Sequence, residues 1–400
     1  MSYSDDYYLL KKAYASGNSH IISGFDIVRI PFYSPNDSSF LPGDFQDCND
    51  KDNAEVQNTS KIEELNNEND INIDENNNFT YTLFKNRTQE RAKKVIILLH
   101  GFNEKHWDKY LPWAKSLFEG TGKDVILFPI SFHMNRAPGS WSNSRLMDKL
   151  SKYRKNIFTE NKSSSFINAS ISNRMQVKPS RFLWSGIKTV NDIIELVNQV
   201  KSGKHKYISP EAKIDFFGYS IGAFLSEILF MINPYRMFDK SKLFIFCGGS
   251  TFNKMKPVSK FIIDHAANYM LQSYYVNEFE QHIKSNEGLK GFFRTSNSFA
   301  IHFKCMLNYN KMKSYREKRL REISSRITAL ALKKDFVFPP ENIIDTLTGE
   351  KHDIPVKIKV MDFPYDYDHV NPFPLNEKIK HLVNNSFNEV FDFASKELAG

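Results

Sequence analysis

Short, continuous apolar runs that alternate with helical patterns constrain the fold of this 400-residue chain more than any other feature. Buried strands are predicted at residues 94–100, 124–131, 214–218, 242–247, 327–332 and 356–361. Helices are predicted at residues 105–119, 186–202, 221–232 and 376–398. Apolar strands bounded by turns and separated by helices are typical of a mostly parallel sheet that is covered on both faces. The sequence therefore predicts the α/β fold class.

Two further stretches interrupt this alternation. Residues 134–181 are polar and irregular, whereas residues 251–325 are helical in pattern and rich in Phe, Tyr and Lys. Insertions at strand ends of such folds usually lie over the site as caps. We expect a core formed by residues 93–250 and 326–400, with a helical cap insertion at 251–325.

The amino-terminal part, residues 1–92, is predicted to be an extension with edge strands at 20–33 and 79–85. Between these strands, residues 46–78 are rich in Asn, Asp and Glu, which indicates a long exposed loop or a mobile segment. No family pattern is recognised in this extension from its residues. It could add strands to the edge of the sheet, or it could cover the pocket.

The charge is unevenly distributed. The chain has a net charge of +8, with 54 Lys and Arg against 46 Asp and Glu, and the acidic residues concentrate in the first 80 positions. A basic body can indicate a nucleic acid or an anionic substrate. Because no compact basic stripe with interleaved aromatic residues is present, we expect a solvated surface and no nucleic acid partner.

Several classes of protein are disfavoured by the sequence. No apolar run approaches the roughly 20 residues of a membrane-spanning helix, so stable membrane insertion is not expected. The three cysteines lack metal-ligand spacing and cannot all pair, which disfavours a structural metal site or a disulfide framework. The first residues show no secretory signal pattern. Together these features predict a cytoplasmic protein.

The most informative motif is Gly218-Tyr219-Ser220-Ile221-Gly222, which fits G-x-S-x-G between a predicted buried strand and a helix. A serine on such a tight turn has a strained backbone, and its hydroxyl projects above the sheet. The glycines permit close approach where a Cβ would collide. The alternative is an ordinary strand-to-helix turn with a serine that caps the helix.

On these residues the sequence resembles the α/β-hydrolase superfamily over about residues 93–400, and the order of parts is closest to uncharacterised bacterial members. The resemblance implies that Ser220 is the nucleophile. It also implies an oxyanion hole formed by the backbone amides of Ile221 and of Phe102, in the His100-Gly101-Phe102-Asn103 segment. His100 is expected to stabilise this loop, and no metal or organic cofactor is implied.

The superfamily order is serine, then acid, then histidine. Asp335 follows the fifth predicted strand of the core and precedes a Pro-rich turn, so the resemblance implies that it is the acid. His369, in the loop after the last strand, is implied to be the base. Asp345, Asp366 and Asp368 are the alternatives for the acid.

Three further residues are candidates for substrate binding. Tyr219 precedes the serine, and His133 and Arg136 follow the second predicted strand. Arg136 could bind an anionic group, or it could form a structural pair with a carboxylate. The aromatic residues of the cap could cover an apolar acyl or alkyl group, or they could simply pack against the body.

The sequence therefore predicts a serine hydrolase that acts by acyl transfer, on a small-molecule carboxylic ester. A serine peptidase or amidase on the same fold shares the acyl-enzyme and remains an alternative. A catalytically silent scaffold used for binding is a third hypothesis. A dehalogenase or epoxide hydrolase is disfavoured, since those members have Asp where this chain has Ser220.

Overall fold

The structure, a computed structural model, describes residues 2–17, 24–34, 70–294 and 298–399. Within these residues, an eight-stranded sheet has the order β1-β2-β4-β3-β5-β6-β7-β8. The strands are β1 (Phe25–Tyr33), β2 (Asn78–Asn86), β3 (Ala92–Leu99), β4 (Asp124–Phe128), β5 (Ile208–Tyr219), β6 (Leu243–Phe246), β7 (Ile327–Leu332) and β8 (Lys357–Met361). The strands from β4 to β8 in this order run parallel, whereas β2 is antiparallel to β1 and β4.

The centre of the sheet is formed by the apolar runs. Ile97 of β3 lies between Ile126 of β4 and Phe216 of β5, and all three side chains are buried. Such strands are apolar at successive positions because helices cover both of their faces. The predicted strands in 94–100, 124–131, 214–218, 242–247, 327–332 and 356–361 correspond to β3 through β8.

Helices pack on both faces of the sheet. They are α1 (Tyr3–Ser16), α2 (Asp74–Asn77), α3 (Tyr110–Thr121), α4 (Ser144–Ile157), α5 (Ala169–Val177), α6 (Arg181–Lys201), α7 (Ile221–Ile232), α8 (His265–Gln272), α9 (Phe279–Ser285), α10 (Glu287–Arg294), α11 (Ser298–Cys305), α12 (Lys313–Ile323), α13 (Pro340–Thr348) and α14 (Lys380–Ala399). Leu10, Trp113 and Phe391 of α1, α3 and α14 share one buried cluster, whereas Ile193 and Phe224 of α6 and α7 belong to another. The predicted α/β fold class is confirmed.

The segment 134–181 differs from the expectation of an irregular stretch, since it contains α4 and α5. The buried face of α4 includes Arg154, and that of α5 includes Asn173 and Arg174. Because polar side chains occupy the inward positions, the apolar spacing that signals a helix is weak here.

The two insertions, 134–181 and 251–325, are joined by a buried ion pair. Arg154 Nε and Nη2 donate to the two carboxylate oxygens of Asp264 at 2.7 and 2.8 Å. Asn161 Nδ2 and the Ala267 amide, each at 3.0 Å, complete the partners of this carboxylate. Planar two-point pairing fixes orientation as well as distance, so α4 and the start of α8 are held in one geometry.

The acidic segment is only partly described. Residues 46–69 of the expected loop, and residues 20–23 of the expected first strand, lie outside the described residues. The remainder forms a short 3₁₀ turn and α2, and Asp70 accepts hydrogen bonds from Arg174 at 2.5 Å and Arg181 at 2.7 Å. Across the described helices, none combines the length and apolar character needed to cross a membrane.

Candidate active site

Three of the predicted residues meet at the carboxyl ends of the parallel strands. Ser220 lies between β5 and α7, Asp335 follows β7, and His369 follows β8. The His369 Nε2 atom is 2.8 Å from Ser220 Oγ, and its Nδ1 atom is 2.7 Å from Asp335 Oδ2. All three residues are at most 4% exposed. Nδ1–H donates to the carboxylate, which leaves Nε2 free to accept the serine proton.

Ser220 has φ 56° and ψ −121°, a conformation that is rare for a residue with a side chain. The glycines on either side make this turn possible. A Cβ at Gly218 would lie 2.6 Å from Ala223 Cα, and one at Gly222 would lie 2.5 Å from the Leu99 carbonyl oxygen. These distances agree with the expectation that both glycines permit a close approach between backbone segments, which a Cβ would prevent.

Asp335 is held by its own loop. Its Oδ1 atom accepts hydrogen bonds from the amides of Val337 and Phe338, each at 2.9 Å, which leaves Oδ2 for His369. The structure does not bring the alternative acids to His369. Asp345 pairs with Lys254 at 2.8 Å.

The other two alternatives for the acid lie in the loop of His369 itself. Asp366 and Asp368 are both exposed, and Asp368 Oδ1 accepts from the Asn371 amide at 2.8 Å. This bond serves the local turn, so the Asp368 carboxylate does not reach Nδ1 of the imidazole.

The imidazole of His369 lies between two aromatic rings. Tyr219 stacks on it with centroids 5.3 Å apart, and Phe338 does so at 5.4 Å. The Tyr219 hydroxyl donates to the backbone carbonyl of His369. Tyr219 therefore holds His369 through both its ring and its hydroxyl, in addition to lining the cleft beside Ser220.

Phe102 and Ile221, whose amides are predicted to form the oxyanion hole, both lie beside Ser220. Together with Ser220 they line one narrow cavity. The Ile221 amide is the first of α7, so it has no carbonyl partner within the helix and lies at the positive end of the helix dipole. After Phe102, Asn103 has φ 60° and its Nδ2 donates to the carbonyl oxygens of Phe261 at 2.7 Å and Ile167 at 3.2 Å. This loop is thus tied to both insertions.

The structure does not bring Arg136 to the cleft that contains Ser220. The guanidinium is fully buried, and Nη2 donates to Asp192 Oδ2 at 2.7 Å and to the Asn76 carbonyl at 3.0 Å. Its Nη1 donates to the Pro129 carbonyl at 3.1 Å. This is the structural Arg–carboxylate arrangement that the sequence left open.

His133 is buried beside Phe102, with ring centroids 5.3 Å apart. Its Nδ1–H donates to the Ser131 carbonyl at 2.9 Å, and Nε2 has no hydrogen-bond partner among the described residues. Burial lowers the pKa of His133 to about 4, so the ring is neutral at pH 7. His133 lines two small cavities behind Phe102 rather than the cleft beside His369.

His100 stabilises the loop after β3. The Ile130 amide donates to its Nε2 at 2.9 Å, so Nδ1 carries the proton and donates to the Gly101 carbonyl at 2.7 Å. Burial, with a smaller effect of His133, lowers the pKa of His100 well below its usual value. The neutral imidazole, with a hydrogen bond at each of its two nitrogen atoms, therefore stabilises the structure of this loop.

A family model described as "Family of unknown function (DUF6051)" matches residues 1–399. The chain belongs to this family. No curated protein matches this DUF6051 chain.

The chain is similar to several solved structures at very low sequence identity. Carboxyl esterase 2 of Tuber melanosporum is 9% identical with a TM-score of 0.47, over 95% of this chain and 88% of the esterase. A Pyrobaculum calidifontis esterase is 9% identical with a TM-score of 0.42, over 99% and 90%. The acylaminoacyl peptidase of Pyrococcus horikoshii is 10% identical with a TM-score of 0.42, over 95% of this chain and 43% of the peptidase. The α/β-hydrolase-like fold of the DUF6051 chain is seen in its sheet and in the serine turn themselves.

One residue beside the DUF6051 site was missed by the sequence. Cys247 follows β6 with φ 50°, and its buried thiol lies beside the Asp335 carboxylate. Burial, together with the charge of Asp335, raises the pKa of this thiol well above its usual value, so the thiol is neutral. The sequence places Cys247 at the end of a predicted strand, where site residues often lie. A single cysteine belongs to no spaced motif, so the sequence alone did not identify it as a site residue.

Proposed function

We propose that this protein is a serine hydrolase that cleaves a carboxylic ester by acyl transfer, with Ser220 as nucleophile, His369 as base and Asp335 as acid. The observation that carries the proposal is the continuous hydrogen-bonded series from Ser220 Oγ through His369 to Asp335, at 2.8 and 2.7 Å. A strained serine at a strand-to-helix turn and two nearby amides complete the groups that this reaction needs.

In the first step, Ser220 Oγ forms a bond to the ester carbonyl carbon while His369 Nε2 takes the hydroxyl proton. The carbonyl electron pair moves to oxygen, where the amides of Phe102 and Ile221 stabilise it. The pair then returns, the carbon–alkoxy bond breaks, and the imidazolium gives its proton to the leaving alcohol. Asp335 stabilises the imidazolium in this step.

In the second step, a water molecule attacks the acyl carbon as His369 accepts its proton. The bond to Ser220 Oγ breaks, the proton returns to that oxygen, and the carboxylic acid is released. The serine, the imidazole, the ester and one water account for every proton and electron pair.

A fluorophosphonate probe tests the proposal, because it labels only a serine with an activated hydroxyl. We expect the wild type to be labelled, and the Ser220→Ala and His369→Ala variants to lose labelling and at least about 10³-fold of esterase activity. Ser140→Ala is the matched control, since Ser140 is an exposed serine that does not line the cleft that contains His369. A folded wild type that neither takes the probe nor hydrolyses p-nitrophenyl esters would refute the proposal.

The same preparation separates esterase from amidase activity. A p-nitrophenyl ester and the p-nitroanilide of the same acyl group share an acyl-enzyme and differ only in the leaving group. We expect faster turnover of the ester. Preferential cleavage of the anilide would move the assignment to the peptidase and amidase alternative.

A further inference from the structure

Two cavities of very different size meet at Ser220. The first, named here the wide cleft, has a volume of about 430 Å³ and is lined by Ser220, Tyr219, His369 and Val370 at its base. The second, named here the narrow cavity, has about 40 Å³ and is lined by Ser220, Phe102 and Ile221 at its entrance. An ester bound at Ser220 extends in two directions, so each cavity takes one half of it.

The two cavities also differ in chemistry. The remaining lining of the narrow cavity is almost entirely apolar and includes Phe252, Met255, Ile263, Leu271, Val337 and Phe338. The wide cleft instead presents charged and hydroxyl side chains, which include Glu104, His106, Asp108, Lys109, Ser142 and Ser144. The exposed rings of Phe166 and Phe261 also line this cleft and provide flat apolar faces.

The position of His369 decides which half of the ester enters which cavity. The leaving oxygen must lie within reach of Nε2, because the imidazolium protonates it. His369 lines the wide cleft. Among the described residues, the lining of the narrow cavity does not include His369 but includes Phe338, whose ring stacks on the imidazole. The alcohol therefore occupies the wide cleft, and the acyl chain enters the narrow cavity.

We propose that the substrate is a short-chain acyl ester of a bulky, polyhydroxylated alcohol such as a sugar. This inference rests on the proposed function and specifies its substrate class. A volume of about 40 Å³ holds about three groups of the size of a water molecule or a methyl group. Hydroxyl groups of the alcohol find hydrogen-bond partners across the cleft, and the C–H face of a sugar ring packs on an aromatic ring at its mouth.

Phe182 sets the depth of the narrow cavity. A second apolar cavity of about 30 Å³ lies behind it, and Phe102, Phe182 and Ile221 line both. The Phe182 ring packs against Phe252 with centroids 5.2 Å apart, so it stands as a wall between the two spaces. Truncating this side chain joins the cavities and makes room for about two more carbons.

The acyl half of the inference is tested with p-nitrophenyl acetate, butyrate, hexanoate and octanoate. In the wild type, kcat/KM should rise about fourfold per added methylene while the chain fits, and should fall at hexanoate and octanoate. Phe182→Ala should move the optimum to hexanoate and raise the hexanoate-to-acetate ratio roughly tenfold. Phe279→Ala is the matched control, because Phe279 is buried in the same aromatic cluster but does not line either cavity.

The alcohol half is tested by acetate release from methyl 6-O-acetylglucoside and from hexyl acetate, which share the acyl group. We expect the sugar ester to have the higher kcat/KM. His106→Leu should lower the sugar-to-hexyl ratio several-fold, because His106 is an exposed polar group of the cleft. His381→Leu, an exposed histidine on α14, should leave the ratio unchanged.

The outcomes separate this inference from the proposed function. If the probe labels Ser220 but octanoate or hexyl acetate is the better substrate, the substrate class is wrong and the serine hydrolase assignment stands. Equal loss on all chain lengths in Phe182→Ala would show that the residue supports only the fold, which overturns its role as a wall. If the probe does not label the folded protein and no ester is cleaved, the proposed function itself is refuted.

Discussion

Replacing Glu227 by glutamine should stabilise this protein, by an amount that grows with pH. Glu227 lies on α7, the helix that begins after Ser220, and it is fully buried. Neither of its carboxylate oxygens has a hydrogen-bond partner among the described residues. Burial raises the pKa of this carboxyl well above 4.5, and the charge of Arg316 opposes the shift only in part.

Arg316 does not require an ionised Glu227. Its Nη1 atom donates to the carbonyl oxygens of Cys305 at 2.9 Å and of Asn308 at 3.2 Å, and Nη2 donates to that of Tyr309 at 2.5 Å. These carbonyl dipoles stabilise the guanidinium. The carboxyl can therefore stay neutral in the folded protein without leaving an uncompensated charge.

The size of the stabilisation by Glu227→Gln follows from the linkage between folding and protonation of this carboxyl. The unfolded chain loses the Glu227 proton near its usual pKa of 4.5, whereas the folded chain keeps it. Since the folded state binds more protons over this range, the free energy of unfolding falls by about 1.4 kcal/mol per pH unit, up to the raised pKa. Glutamine cannot ionise, so its advantage should increase by up to about 1.4 kcal/mol per pH unit above pH 4.5, until the raised pKa is reached.

The assay is urea denaturation of the wild type, Glu227→Gln and Glu160→Gln at four pH values from 5 to 8. Glu160 is exposed, so its variant controls for the loss of one carboxylate and should follow the wild type. A Glu227→Gln protein that is less stable than the wild type at pH 7 would refute the reasoning. It would mean that the carboxylate is ionised and paired with Arg316, and loss of a buried pair costs about 3–5 kcal/mol.

Three further predictions concern the histidines, the serine turn and the insertions. Burial lowers the pKa of His133 and of His205 to about 4, so both imidazoles stay neutral in the folded protein above that pH. As the pH falls from about 6.5 to 4, each histidine should lower the free energy of unfolding by up to about 1.4 kcal/mol per pH unit. His205→Gln should therefore reduce the dependence of the free energy of unfolding on pH, measured by acid denaturation. Gly222→Ala should abolish probe labelling and lower the melting temperature, because its Cβ would lie 2.5 Å from the Leu99 carbonyl oxygen; normal labelling would contradict the turn geometry. Arg154→Met should cost about 3–5 kcal/mol in urea denaturation by leaving Asp264 unpaired, and a double variant with Asp264→Asn should recover part of the loss.

The sheet could be predicted because its signal is local. A strand buried on both faces is apolar at every position, and a turn that needs glycine shows it in the sequence. The bounds of β7, Ile327–Leu332, and of α7, Ile221–Ile232, are those expected from the pattern. The resemblance identified Ser220, Asp335 and His369 from their order at the ends of predicted strands, and parallel strands bring those ends to one edge of the sheet.

Features that depend on distant partners could not be predicted. Arg136 lies in a loop that follows a strand beside the site, but Asp192 on α6 holds it in the interior. Arg154 occupies the buried face of α4 because Asp264, far along the chain, neutralises it. Cys247 matters only through its contact with Asp335. In each case the position and role of a polar side chain depend on a partner that is distant in the sequence, so the local sequence pattern does not reveal them.

Backbone strain near Ser220 is consistent with the proposed site. Positive φ occurs at ten described residues other than glycine, and three of them, Asn103, Ser220 and Cys247, follow β3, β5 and β6. Such conformations persist only where surrounding contacts impose them, and they are frequent at functional sites. The backbone after β6 packs closely against the serine turn, since a Cβ at Gly248 would lie 2.5 Å from Ala223 Cβ and 3.0 Å from the Ser220 carbonyl oxygen. These three residues agree with the proposed function, because the proposed nucleophile, oxyanion amides and acid would each need a fixed position.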